Sequence, residues 1–190
     1  MLVFIVVFCV VVALGFCLAS AWSDWSGMTI PNTYPVGIIA TFGIAAAALY
    51  FLAPEAGYLF SLKSHFISFA LVFAVTFVLF SLKMIGAGDS KLAAAVALWT
   101  GVKGLFPFLF FMGITGAVLG LAALYLQKNK PVAEPKEKSW IERVQGGEST
   151  VPYGIAIAVG ALIAFIQVGY FSPEKLALLV DIGTGSAAGS

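Results

Sequence analysis

The sequence predicts an all-α, polytopic membrane protein of about six transmembrane helices. Apolar residues make up 61% of the 190 positions and charged residues only 10%. The apolar residues gather in runs of bilayer length, and no polar region between them is large enough to fold separately. A soluble domain of this size has too little interior to hide so much apolar surface, so the excess must face lipid. The chain reads as one membrane domain over residues 1–170, with a cytoplasmic loop at 127–152 and a C-terminal tail at 171–190.

The first run, residues 2–19, is apolar almost without interruption and, at about 1.5 Å per residue, crosses most of the hydrocarbon layer. The stretch CLASAWS has the small-residue rhythm of a signal-peptide cleavage site. No basic residue precedes Asp24, however, and the run is longer than a usual signal core, so it is read as a retained span. The polar stretch WSDWSGMTIPN follows, ending at the turn pair Pro31 and Asn32. A second span covers 34–53 and is ended by Pro54, Glu55 and Gly57. A third covers 66–82, followed by KMIGAGDSK at 83–91. The next apolar piece, LAAAVALW at 92–99, is too short for a full span unless it tilts, reaches back through the aspartate or continues to Val102. A fifth span covers 105–126. Residues 127–152 are strongly polar and predict a mobile solvent loop with one short interfacial turn at Trp140, Ile141 and Val144. The last span, 153–168, is at the short end of the range. Glycines and alanines in the later spans, including GITGAVLG, predict close helix packing.

The net charge of +1 and the scatter of the ten basic residues argue against nucleic acid as a partner. The two cysteines, Cys9 and Cys17, lie inside the first run at a spacing that makes neither a CxxC redox pair nor half a zinc site, and they read as small packing residues. No metal or cofactor is expected. With the N-terminus outside, Lys83, Lys91, Lys128, Lys130, Lys136, Lys138 and Arg143 fall on the inner side, against Lys63, Lys103 and Lys175 on the outer. That bias places the first, third and fifth loops in the cytoplasm.

Of the three aspartates, Asp24 and Asp89 fall on this shared inner face, each at the end of an apolar segment, where a carboxylate is costly unless something uses or satisfies it. Two carboxylates in one partly dehydrated site share a proton. The ionised one takes a proton from a bridging water while the protonated one polarises a scissile carbonyl, which suffices for peptide hydrolysis without metal or covalent nucleophile. Gly86 and Gly88 before Asp89 let the backbone turn sharply and let an extended substrate approach, and Asp89 then stands at a helix N-terminus that favours an anion. Lys91 either neutralises phospholipid or biases Asp89. Trp22 and Trp25 fit an aromatic belt around Asp24. His65, the single histidine, falls at the outer interface, away from the aspartates, and reads as an interface or capping residue.

Asp24 with IPN at 30–32, KMIGAGDSKLAAAVALW at 83–99 and VPYGIAIAVGAL at 151–162 together resemble the bacterial prepilin peptidases, the GxGD-type intramembrane aspartyl proteases. The chain is most similar to their compact branch, which processes Flp-type pilins for tight-adherence or Caulobacter-type pili. The resemblance covers roughly residues 5–170. It implies a six-helix protein of the bacterial inner membrane that cleaves the leader of a membrane-anchored prepilin on the cytoplasmic side, with Asp24 and Asp89 as the catalytic pair. Gly86, Gly88, Lys91, Pro152, Tyr153 and Gly154 would shape the site. Many members carry a basic residue soon after the first aspartate, and DWSGMTIPN has none. The larger enzymes also carry a cytoplasmic region with paired CxxC motifs and methylate the new N-terminus. This chain has no such motifs, so the resemblance implies hydrolysis alone. Two other classes compete: an ion-coupled transporter using the same aspartates as ligands, and a non-catalytic pilus assembly subunit.

Overall fold

A computed structural model describes residues 1–53, 61–137 and 139–184, and the regular structure among them is entirely helical. The elements are α1 (Leu2–Gly27), α2 (Thr33–Leu52), α3 (Leu62–Ser81), α4 (Ala87–Asn129), α5 (Trp140–Gln145), α6 (Tyr153–Val168) and α7 (Pro173–Thr184). The stop expected at Pro54, Glu55 and Gly57 lies outside the described residues, as do Lys138 and the end of the tail.

α1 continues past the predicted end of the first span. Nothing in SAWSDW breaks a helix, and the chain leaves it only at Met28, which adopts a left-handed conformation (φ 53°) with its N–H bonded to the Asp24 carbonyl. Asp24 therefore sits on the last turns of a helix and not in a loop. That fixes its side chain relative to the bundle.

The fourth and fifth predicted spans are one continuous element, α4, broken at Gly101 (φ 57°, ψ −177°). Its two halves run in opposite directions. Along the first, residues 87–100, Ser90 Oγ donates to Thr76 Oγ1 (2.8 Å) and His65 Nδ1–H donates to the Leu98 carbonyl (2.7 Å), which is antiparallel to α3. Along the second, residues 102–129, Gly104 lies against Val168, Gly160 against Phe108 and Met112, and Gly116 against Tyr153, which is antiparallel to α6. Gly101 is therefore a reversal, held on the α3 side by His65 and by the Val102 N–H donating to Ser64 Oγ (3.0 Å). A side chain at residue 101 would meet both Ser64 and His65 in a backbone conformation that favours glycine. His65 does lie at the end of the bundle opposite the aspartates, but it is buried, and its work there is to cap a helix C-terminus.

With α4 taken as two halves, six helical segments run between the two ends of the bundle among the described residues. Helices α1 to α4 are each long and apolar enough to cross a membrane, and α6 with α7, bent by 63° at Gly169, forms a fifth candidate span. The first half of α4 is short because it is the central element. Residues 92–99 are all buried, with Trp99 fully enclosed, donating its indole N–H to the Ile38 carbonyl (3.0 Å) and accepting at its own carbonyl from the Tyr170 hydroxyl (2.6 Å). Around it, Phe4, Phe8, Phe73, Phe77, Phe106 and Leu121 point outward as the lipid-facing girdle. The small-residue packing expected for the later spans is present. A Cβ at Gly160 would stand 2.7 Å from the Phe108 carbonyl oxygen, so α6 and α4 touch backbone to side-chainless backbone. Both cysteines are free and buried.

Candidate active site

One end of the bundle gathers the C-terminus of α1, the N-termini of α2, α4 and α6, and helix α5. Asp24 reaches this end on α1 and is 5% exposed. Its Oδ2 accepts the Gly154 N–H at 2.7 Å, so the carboxylate of one helix caps the N-terminus of another, where free amides and the helix dipole both favour negative charge. The contact depends on glycine: a Cβ at residue 154 would lie 3.0 Å from Asp24 Cβ, 3.1 Å from Oδ2 and 3.2 Å from the Ser20 carbonyl oxygen. Pro152, fully buried, precedes Tyr153, the first residue of α6. Tyr153 packs its ring over Gly116 of α4.

Asp89 lies at the third position of α4, half-buried, and its Oδ2 accepts the N–H of Gly86 (3.1 Å), closing the first turn on itself. Both motif glycines have a spatial explanation. A Cβ on Gly86 would stand 2.9 Å from Asp89 Oδ2, and one on Gly88 would stand 3.0 Å from Ile30 Cβ and 3.3 Å from the Ile30 carbonyl oxygen. The sharp turn expected from these glycines is not what requires them. Gly86 has an ordinary extended backbone (φ −77°, ψ 153°), and neither residue has positive φ. Their role is to leave room for the carboxylate and for the IPN turn against α4.

Asp24 and Asp89 are close enough for the charge of the first to act on the second. Lys91 does not bond to Asp89 but donates to Asn32 Oδ1 (3.0 Å), tying the IPN turn to α4. Among the described residues no cluster of three or more metal-ligating side chains occurs.

The segment after α4 departs from the expected solvent loop. Trp140 and Val144 of α5 are buried against Trp25, Met28, Ala123, Leu126 and Val151. Trp140 lies 5.0 Å from Trp25 between ring centroids and donates its indole N–H to the Thr150 carbonyl (2.7 Å). The Gln145 side chain pairs with both backbone groups of Val132 (3.2 and 2.7 Å), and the Ser139 hydroxyl caps α5. The interfacial turn is therefore a docked helix beside Asp24, built because Trp140, Ile141 and Val144 supply an apolar face that the charged composition of the loop obscures. Trp140→Ala should undock it. Removing a buried tryptophan typically costs ~3–5 kcal/mol, so trypsin cleavage after Lys128 and Lys136 is expected to accelerate at least about tenfold through local opening. An unchanged digestion rate would show that the segment is held some other way.

The residues singled out from the sequence, Asp24, Asp89 and the PYG stretch, lie together at this end of the bundle. Not singled out were Ser20, whose carbonyl faces Gly154, and the Ser90–Thr76 hydroxyl pair that locks α4 to α3 one residue beyond Asp89. Thr76, a polar side chain within the apolar third span, was the available signal.

An all-helical bundle with a lipid-facing girdle, carrying two carboxylates within electrostatic reach at one end, is a polytopic membrane protein. The chain belongs to the type IV leader peptidase family, whose model matches residues 11–121, a stretch that holds both aspartates, Gly86, Gly88 and Lys91 but not residues 152–154. It is similar to a prepilin leader peptidase/N-methyltransferase of Xanthomonas campestris pv. campestris, at 31% identity over 80 residues, which are 42% of this chain and 22% of that relative. The match thus spans well under two thirds of the relative's length. No solved structure matches.

Proposed function

We propose that this protein is an aspartic endopeptidase that removes the leader peptide of membrane-anchored type IV prepilins, of the Flp type, at the cytoplasmic face of the bacterial inner membrane. The observation that carries the reading is the convergence of Asp24 and Asp89 within electrostatic reach of one another at a single end of the bundle. Family membership and the prepilin-processing name of the Xanthomonas relative support it.

In the proposed reaction the two carboxylates hold one proton between them. The ionised carboxylate takes a proton from water as the water oxygen attacks the scissile carbonyl carbon, and the protonated one donates to the carbonyl oxygen. Collapse of the tetrahedral intermediate breaks the C–N bond, and a carboxyl proton passes to the leaving nitrogen. Gly86 and Gly154 give the carboxylates room, and Gly88 lets the IPN turn close against α4. Pro152 and Tyr153 set the start of α6, and Lys91 holds the IPN turn through Asn32. Detergent-purified protein incubated with an Flp-type precursor should yield a leader-sized mass loss. Intact precursor after prolonged incubation with folded protein would reject the activity.

The orientation has its own test. In intact cells a membrane-impermeant maleimide should label Lys63→Cys, while Met84→Cys and Lys136→Cys should label only after permeabilisation. Labelling of all three from outside would contradict a cytoplasmic site.

A further inference from the structure

At the end of the bundle opposite the aspartates, two helix breaks leave a notch. α4 reverses at Gly101 and α6 ends at Gly169, which has positive φ (85°), before α7 turns away. Between them lies a cavity of about 580 Å³, a volume typical of ligand sites. Its apolar side is formed by Val6 and Leu49, with Leu179 of α7. Its polar rim includes Ser64, Lys103 and Lys175. The two lysines are close enough for their charges to act on one another, and no acidic side chain lines the cavity among the described residues. Lys175 also donates to the Val168 carbonyl at the end of α6, which aims the ammonium into the break.

This juxtaposition needs a reason. Like charges gathered on one rim repel unless an anion lies between them, and basic residues are scarce on this side of the chain, where only Lys63 joins these two. An apolar wall that opens beside a pair of ammonium groups, at the level where a membrane span ends, matches one ligand chemistry: a phosphodiester joined to an acyl chain.

We propose that this notch binds an anionic phospholipid, with its headgroup phosphate between Lys103 and Lys175 and an acyl chain along Val6, Leu49 and Leu179. The site is independent of the aspartate pair, and its test does not rest on proteolysis.

The test is native mass spectrometry of the full-length protein released from neutral detergent micelles doped with phosphatidylglycerol or phosphatidylcholine. The wild type should retain phosphatidylglycerol roughly tenfold better or more, the scale expected of two lysines at an anionic headgroup. Lys103→Gln combined with Lys175→Gln should erase that preference, Lys103→Arg combined with Lys175→Arg should keep it, and Lys63→Gln should behave as wild type. The arginine pair separates loss of charge from loss of fold. Equal retention of the two lipids, a preference that survives the glutamine pair, or one lost equally in Lys63→Gln would overturn the site. Competition of the lipid by millimolar inorganic phosphate alone would assign the lysines to a soluble anion and overturn the lipid assignment.

Discussion

Asp24→Asn and Asp89→Asn are each expected to lower precursor cleavage by about 10³-fold or more while leaving the protein folded, because in the proposed mechanism each removes one member of an acid–base pair that works as a unit. Asparagine keeps the shape of aspartate, and its amide oxygen still accepts the Gly154 N–H in place of Asp24 Oδ2 or the Gly86 N–H in place of Asp89 Oδ2. The packing that sets the α1–α6 and α3–α4 contacts is thus retained, and elution volume and thermal midpoint should stay near wild type. What changes is chemistry. An amide neither takes a proton from water nor holds one for the substrate carbonyl. The double variant should be about as inactive as either single variant, since removing half of a cooperating pair already ends its function. Cleavage at the wild-type rate in both single variants would end the dyad assignment, and loss in one alone would leave a single carboxylate with a different role.

Much of the fold was legible because the bilayer imposes a length rule. Runs of apolar residues had to be helices, and the small residues in the later spans had to lie between them. The ambiguous piece, residues 92–99, was ambiguous for a physical reason. Every residue of it is buried, surrounded by helices rather than lipid, so bilayer thickness does not set its length. The reversal after it depends on a tertiary contact with Ser64 and His65, which local sequence does not announce. The aspartates were legible because a carboxylate at the end of an apolar run stands out against its neighbours. The partner of Asp24 was not, since the amide that its carboxylate caps, Gly154, comes from the far side of the chain. α5 was legible only as a short interfacial turn at Trp140, Ile141 and Val144: that it docks could not be read until its partners, Trp25 and Met28, are placed beneath it.

Gly154 is where this long-range setting can be broken with the least chemistry. Gly154→Ala places a methyl 3.0 Å from Asp24 Cβ and 3.2 Å from the backbone carbonyl of Ser20, and the second of these cannot swing away as a side chain would. The start of α6 must therefore move off α1 by a few tenths of an ångström, lengthening the 2.7 Å bond that orients Asp24. Gly154→Val adds two further methyl groups to the same gap and must move it further. Small displacements of a reacting group are costly, about 10²-fold for a misplacement near 1 Å. A graded loss is thus expected: about tenfold in kcat/KM for alanine and about 10²-fold or more for valine, with overpacking also lowering stability by ~1–3 kcal/mol. Gly113→Ala supplies the comparison, because a Cβ there meets nothing within 4 Å and activity should be unchanged. Placement and stability separate by temperature. If Gly154→Val is slow only because it unfolds, kcat/KM per folded molecule returns to wild type well below its thermal midpoint. If the position of Asp24 sets the rate, the deficit persists in fully folded protein. Wild-type turnover in Gly154→Val would mean that the contact between α6 and Asp24 does not position the carboxylate for catalysis.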